Sequence, residues 1–460
     1  MSTDLKRFLK NLFIVSLPII IQELLANLSA LIDTLMVGRL EGVANASVSG
    51  VYIATQILFI VNLMIYGSIE GGSVFFSQFF GIKDKEGMRN SFGFKLTAST
   101  LLSTIATVIL LIFGRNFVEI FTSDQEVINI ALGYINIVAF SVVPFAIATT
   151  ISSTLREYHK GLSPLIITLI AVIFNITINY ICIFGKLGIP KLEGVGAAIG
   201  TLVERYVRLI LLIFILLKNK YPFTKKLLDT FKMDKILLKR MIIKSIPLLF
   251  NELLWSFSQI LLVFFFNEKD SIATTVLPMA QTIFNLIFVI LLGLGNAYSI
   301  LLANTIGQND FKKAQKEAYI TVIITTIVCF FLGTALFISS DFITSLYSEV
   351  NLETRILASK FIKFCALYML INGINTNIFF LLRAGGKTGI VLFFDAFYGY
   401  IISLPFAALI CYCTNLNLLQ MYGLVYGLDV IKFVIGSILI ISKKWCKNLT
   451  DYENKNMYLD

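Results

Sequence analysis

"SLPIIIQELL" (Ser16–Leu25) and "SIPLLFNELL" (Ser245–Leu254) are one phrase written twice, the second copy shifted by 229. Each copy sets a proline, an amide (Gln22, Asn251) and a glutamate (Glu23, Glu252) inside an otherwise apolar run. Two further phrases return at nearly the same distance. "SQFFGIKD" (Ser77–Asp84) reappears as "ANTIGQND" (Ala303–Asp310), shifted by 226, and "TLREYHK" (Thr154–Lys160) as "LLRAGGK" (Leu381–Lys387), shifted by 227. Three matches at nearly one offset point to an internal duplication.

What is duplicated is a set of membrane spans. The 460 residues are 57% hydrophobic and 14% charged, where soluble domains carry roughly 25% charged residues. Apolar runs of about 18 residues or more read as spanning helices. Twelve are expected: 12–37, 51–78, 92–114, 127–154, 162–184, 194–217, 245–266, 271–303, 319–338, 357–382, 389–413 and 421–441. The apolar run behind Lys6, Arg7 and Lys10 outlasts the roughly 7–15 residues of a signal-peptide core, so it reads as a retained first helix. Six spans per half is an even number, so both halves enter the bilayer the same way, a parallel repeat.

The expected fold is therefore an all-α integral membrane protein of twelve transmembrane helices in two pseudo-symmetric six-helix lobes. Residues 1–217 form the N-lobe, 218–244 a basic cytoplasmic connector, 245–442 the C-lobe and 443–460 a cytoplasmic tail. The net charge of +10 reports orientation. With the N-terminus inside, 27 of the 38 Lys and Arg fall on inner segments, and cytoplasmic loops carry that excess. Both termini are thus expected in the cytoplasm of a multi-pass protein of the cytoplasmic membrane. No basic patch lies on a water-soluble domain, so no nucleic-acid partner is expected. The six cysteines lack metal-binding spacing and read as packing residues. No phosphate-cradling glycine loop occurs, which points away from bound ATP.

Charges inside spans are costly, about 2.5–3.5 kcal/mol on insertion scales, and so mark function or internal pairing. Asp33 lies about 21 residues into the first span, toward the outer side at 1.5 Å per residue. Asn175 and Asn179 share one face of the fifth at a similar depth. An acid with two amides suits a small cation or a transferable proton. Glu252 in the seventh span and Asn372 in the tenth are expected at one depth in the second half, with Glu23 the first-half counterpart of Glu252. Glu204 with Arg208, and Asp429 with Lys432, read as internal ion pairs within single helices. Glu70 and Asp395 are unassigned, and either suits the lining of a water-filled cavity. His159, the one histidine, falls in a cytoplasmic loop. No grouping of nucleophile, base and acid lies at one depth, which speaks against an enzyme.

These residues bring a family into view. Pro18, Asp33, Thr34, Met36 and Gly38 in helix 1, Gln78 and Gly81, Leu155 and Arg156, Asn175, Asn179 and Tyr180 in helix 5, Pro247, Glu252 and Trp255 in helix 7, and Leu382, Arg383 and Gly385 after helix 10 resemble the multidrug and toxic compound extrusion (MATE) transporters over about residues 12–442. The resemblance implies two six-helix lobes. It also implies antiport in which Na+ or H+ enters as an organic, cationic compound leaves, with no cofactor beyond that ion. It places coupling at the helix 1 aspartate, here Asp33, beside the helix 5 pair, here Asn175 and Asn179, which are then the candidate Na+ ligands. Other members use the helix 7 glutamate, here Glu252, with a helix 10 acid, where this chain has Asn372. Asn179 stands where one branch has a second aspartate.

The expected partners are a small-molecule substrate and the lipid bilayer, the chain acting as a monomer. A lipid-linked precursor flippase is the alternative. Its anionic cargo needs a cavity ringed by Arg and Lys, and within the first-half spans Arg205 and Arg208 alone qualify, against Glu23, Asp33, Glu70 and Glu252. A channel is disfavoured by the twofold repeat without a pore-loop signature.

Overall fold

The computed structural model describes residues 3–40, 44–224, 234–347 and 350–451. Residues 225–233 of the connector and 452–460 of the tail lie outside the described residues. The described chain is almost wholly helical. Helices α1 (Thr3–Val37), α2 (Ala44–Gly81), α3 (Lys85–Glu119), α4 (Gln125–Glu157), α5 (Leu162–Phe184) and α6 (Glu193–Asn219) make the first set. The second set is α7 (Lys235–Lys269), α8 (Ala273–Gly307), α9 (Phe311–Ser345), α10 (Leu352–Ala384), α11 (Thr388–Cys413) and α12 (Leu418–Ile441).

Eleven of the twelve are long and apolar enough to cross a bilayer by composition. The exception is α6, in which Glu204, Arg205 and Arg208 interrupt the apolar run. It is still a 27-residue helix, about 40 Å at 1.5 Å per residue, which reaches across the hydrocarbon core.

The duplication is written into the helix ends. Asp84 caps α3 by accepting from the Glu86 and Gly87 amides, and Asp310, its counterpart in the repeat, caps α9 by accepting from Lys313. Asp124 caps α4 through the Glu126 amide, and its counterpart Asn351 caps α10 through Thr354. Each side-chain oxygen satisfies amide donors that a helix start leaves open. The turns before and after these helices match too. Lys83 and Asn309 both adopt φ 60, and His159 (φ 59) answers Gly386 (φ 68).

Packing divides the chain into two compact units, Leu17–Leu249 and Phe250–Asp460, the latter with Met1–Ser16. In the N-terminal unit, α2, α3, α4 and α6 pack around Ile57, Val61, Ile65, Ala131, Ile135 and Val138, and α5 lies along α6. In the C-terminal unit, α8 and α9 pack on α10, around Leu291, Cys329, Phe361, Cys365 and Met369. The side chains left uncovered are apolar in whole stripes. Leu101, Ile105, Ile112 and Phe113 on α3, and Ile323, Ile327, Phe330 and Phe331 on α9, are all exposed. A water-facing helix would not carry such stripes; lipid accepts them.

Each unit is fastened after its sixth helix. Past α6, Phe223 is fully buried against Phe76, Phe92 and Tyr158. Past α12, Trp445 is 1% exposed and donates to Gln315 Oε1 at 2.7 Å. Gly385 must be glycine there, since a Cβ would overlap the Trp445 carbonyl oxygen.

A lysine at the start of the third apolar run is fully interior. Lys95 is fully buried within α3, with Nζ 2.8 and 2.9 Å from the Glu157 carboxylate and 2.9 Å from Thr154. The helix begins earlier than hydropathy implies, because Asp84 caps it well before the apolar run sets in.

Candidate functional site

The fifth helix is uniformly apolar except for a few positions, and two of these, Asn175 and Asn179, are one turn apart and fully buried. Their amides face α1. Asn179 Nδ2 donates to Asp33 Oδ1 at 2.6 Å and to Asn175 Oδ1 at 3.2 Å, and Ser29 Oγ donates to Asn175 Oδ1 at 3.2 Å. The structure thus brings Asp33, Asn175 and Asn179 together, as their spacing implies. Ser29, one turn before Asp33, extends the group. Asn175 Nδ2 and Asn179 Oδ1 are buried and make no hydrogen bond, an uncommon state for interior amide atoms. Asn179 Nδ2 is the atom that meets the carboxylate, while Asn179 Oδ1 lies against Gly200 of α6.

The close approach of α6 makes this geometry. A Cβ at Gly200 would overlap Asn179 Oδ1, so only glycine lets α5 and α6 meet with that amide in place. Glu204, one turn further along α6, is near enough to Asp33 for their charges to repel. Arg205 donates to Ser141 Oγ at 3.3 Å and lies 4.5 Å over the Phe145 ring.

Nearer the start of α1, Gln22 donates to Thr168 at 3.0 Å and accepts from Arg156 at 3.2 Å. Glu23 is 3.9 Å from Arg156, so its carboxylate has a cationic neighbour at the end of α4. Glu204 and Arg208 do not form the expected pair. Among the described residues no ion pair joins them, and Arg208 Nε is buried without a hydrogen bond. The i, i+4 spacing allows the pair, but the fields of both arginines act on Glu204 only at longer range.

In the C-terminal unit Glu252 and Asn372 are both half-buried, on α7 and α10. The polar contacts gather one residue earlier, at Asn251. Its Nδ2 donates to Asp395 Oδ2 at 3.2 Å, its Oδ1 accepts from the Ala396 amide at 3.3 Å, and Lys432 Nζ donates to Asp395 Oδ1 at 2.6 Å. The expected Asp429–Lys432 pair is therefore corrected. Lys432 crosses to Asp395 on α11, and Asp429 accepts from the Tyr368 hydroxyl. Spacing along one helix sees only i, i+3 neighbours and misses a stronger acceptor on the next helix.

Three functional candidates thus escape a reading by spacing alone: Asn251, Asp395 and Lys432. The duplication holds the signal. Gln22 and Thr168 in the first unit correspond, through the repeat, to Asn251 and Asp395, and the same amide-to-α5 or amide-to-α11 hydrogen bond occurs in both. Ser99 with Thr150, and Thr325 with Asn377, repeat a second contact between corresponding positions.

Comparison with known proteins agrees with the duplicated helical fold. The family model MatE matches residues 18–181 and 247–409, one match for each copy of the repeat. The probable multidrug resistance protein YoeA of Bacillus subtilis is 25% identical over 415 residues, 90% of this chain and 88% of that protein. The multidrug resistance protein NorM of Vibrio cholerae is 26% identical, covering 87% of each. Among solved structures, MATE in the bent conformation superposes with a TM-score of 0.85 at 18% identity over 95% of this chain and 96% of that one. An outward-facing MATE family transporter of the MOP superfamily gives 0.83 at 17%, over 95% and 96%.

Proposed function

This chain belongs to the MatE family of multidrug efflux transporters, and we propose that it works as a secondary antiporter. In this reading it exports organic cations across the cytoplasmic membrane, with both termini in the cytoplasm, as H+ or Na+ enters. The observation that carries the reading is the Asp33–Asn179–Asn175 cluster, one carboxylate and two fully buried amides held together inside apolar helices. Such a cluster is costly in a bilayer unless it is used.

Two occupants suit it. A proton goes onto the Asp33 carboxylate itself. A sodium ion takes oxygens from Asp33, Asn175 and Ser29, and from Asn179 when its amide turns its Oδ1 toward Asp33. Either one cancels the charge that Asp33 presents to a cationic cargo, so ion and cargo favour different states, which is all that coupling requires. Glu252 and Asn372 in the C-terminal unit, and Glu23 in the N-terminal unit, are proposed as further cation-binding positions, each half-buried on α7, α10 and α1.

Reconstitution in liposomes with ethidium, under a pH gradient and a Na+ gradient imposed separately, tests this. One gradient is expected to drive dye exchange and Asp33→Asn to abolish it. Exchange that persists at the original rate in Asp33→Asn overturns the role of the cluster. Flipping of an anionic lipid-linked substrate, with no cation moved by either gradient, replaces the antiporter with the flippase.

A further inference from the structure

The C-terminal unit holds a second charged site that the coupling scheme leaves unused. The Asp395 carboxylate receives Lys432 Nζ at 2.6 Å and the Asn251 amide at 3.2 Å. The same ammonium stands 5.1 Å from the centre of the Phe394 ring and 5.9 Å from that of Tyr398. A carboxylate, an amide and two aromatic faces around one positive charge form a complete recognition set for an organic ammonium. We propose that this cage is a binding site for an organic monocation, in which the chain's own Lys432 sits as a tethered occupant that cargo displaces. The proposal rests on the reading that the exported compounds are cations.

Three features separate this arrangement from a purely structural ion pair. The first is the backbone. Asp395 and its rings lie in a stretch where α11 is wound as π-helix, Phe393–Phe397 and Gly399–Ser403. Such segments are rare, and are frequently found at functional sites. α12 is itself interrupted at Leu428, whose carbonyl accepts from the Tyr398 hydroxyl at 2.5 Å.

The second is a place for the lysine to go. Asp429 lies three positions before Lys432, one turn along the same helix. Its carboxylate is held by Tyr368, and its field already acts on Lys432. A lysine is a compact charge on a flexible four-carbon stem, so it can change carboxylates without moving its helix. Side-chain exposures of 13% and 16% for Lys432 and Asp395 leave the pair partly open.

The third is asymmetry between the copies. The repeat sets Thr168 and Arg205 at the places of Asp395 and Lys432. Arg205 also lies over an aromatic ring, Phe145, but its partner is the neutral Ser141. The basic group over an aromatic ring belongs to both copies, whereas the carboxylate that turns the site into a cation cage belongs to one.

A tethered occupant lowers the apparent affinity for a free ligand by the fraction of time that the site is vacant. A lysine seated about nine-tenths of the time therefore costs about tenfold in Kd. Removing it does more than open space. It leaves a buried carboxylate without a counter-charge, a state that a free cation relieves.

The test is ethidium binding to the purified full chain, followed by fluorescence titration. Lys432→Met is expected to bind about tenfold or more tightly than the unaltered protein, and Asp395→Asn/Lys432→Met to lose that gain. Lys432→Gln, which removes the charge but keeps a hydrogen-bonding group, carries the same expectation should the methionine variant not fold. An affinity within about twofold of the unaltered protein in a folded Lys432 variant overturns the proposal, as does a gain that survives in the double variant. Ethidium exchange by the unaltered protein in liposomes separates the two readings. If exchange occurs and Lys432→Met binds no more tightly, the cage falls and the antiporter stands. If exchange is absent under both gradients, the antiporter itself falls.

Discussion

Gly200→Ala tests the Asp33 cluster without touching any of its polar groups. A Cβ at position 200 would overlap Asn179 Oδ1 and stand 2.7 Å from its Cγ and 3.1 Å from the Asn175 carbonyl oxygen. The first two approaches are far inside contact, so the Asn179 amide must turn away. Turning breaks its 2.6 Å donation to Asp33. A hydrogen bond to a charged group is worth roughly 1.5–3 kcal/mol, which corresponds to about 10- to 150-fold in the coupling-ion concentration at half-maximal exchange. The assay is ethidium exchange in liposomes as a function of that concentration. Asn179→Ala is expected to give the same shift, and Gly200→Ala/Asn179→Ala no more than Asn179→Ala alone, because the obstruction and the thing obstructed are removed together. An unchanged half-maximal concentration in Gly200→Ala, in protein that unfolds at the original temperature, refutes the claim that the Asp33–Asn179 contact sets ion affinity. Additive losses in the double variant refute the stated route by which Gly200 acts.

The remaining predictions concern stability. Glu157→Gln leaves Lys95 fully buried with its counter-charge gone; a cost of roughly 3–5 kcal/mol is expected. Lys95→Met/Glu157→Leu should recover most of it, read as thermal unfolding in detergent; a single variant as stable as the original refutes the pairing. His159, between α4 and α5, lies tilted against Phe80 with ring centres 4.9 Å apart, and burial holds its pKa below the ordinary 6.5. The folded state then binds fewer protons than the unfolded state in the range below 6.5, so stability is full above that pH and falls as pH drops through it. His159→Asn, which tolerates the left-handed backbone (φ 59), is expected to flatten this decline in unfolding midpoints measured from about pH 8 to about pH 5. A slope unchanged by the substitution refutes it.

The legible part of this protein is the part set by periodicity and local chemistry. Apolar runs mark the spans because hydrocarbon tolerates little else. The repeat marks the two sets of six because caps such as Asp84 and Asp310 are chosen by the adjacent amides, a purely local requirement. Asp33, Asn175 and Asn179 are legible because depth in a bilayer can be counted along a helix. Rotation about the helix axis relative to other helices cannot be counted so, and the misreadings follow from it. Spacing pairs Lys432 with Asp429 and Arg208 with Glu204 because each pair shares a helix. The structure turns Lys432 toward Asp395, which lies 37 residues away in sequence. The partner of Lys95 is hidden for the same reason, since Glu157 is 62 residues distant.

The duplication gains its meaning where it fails. Asp33, Asn175 and Asn179 correspond by offset to Leu262, Ile402 and Phe406, and there the second unit is core: Leu262 is 4% exposed and Phe406 packs against the same cluster. Thr168 and Arg205 correspond to Asp395 and Lys432, and there the first unit lacks the acid. Each copy has therefore kept one carboxylate-bearing site: the second unit fills the place of the first with apolar side chains, and the first unit keeps the cation of the second as Arg205 but replaces its acid by Thr168. Two equivalent copies would answer any one ion identically, which gives no reason for one ligand to oppose another. In the proposed antiport, copies that differ at both places offer different ligand sets, and that divergence supplies a physical basis for antagonism between ion and cargo. The same argument predicts what erasing it would do. Asp395→Thr with Lys432→Arg restores the first unit's residues at the second site. It is expected to leave the dependence of exchange on the coupling ion intact, since Asp33 is untouched, while changing which cations are exported. A variant whose ion dependence shifts and whose cargo range does not would show that the two sites carry the opposite roles.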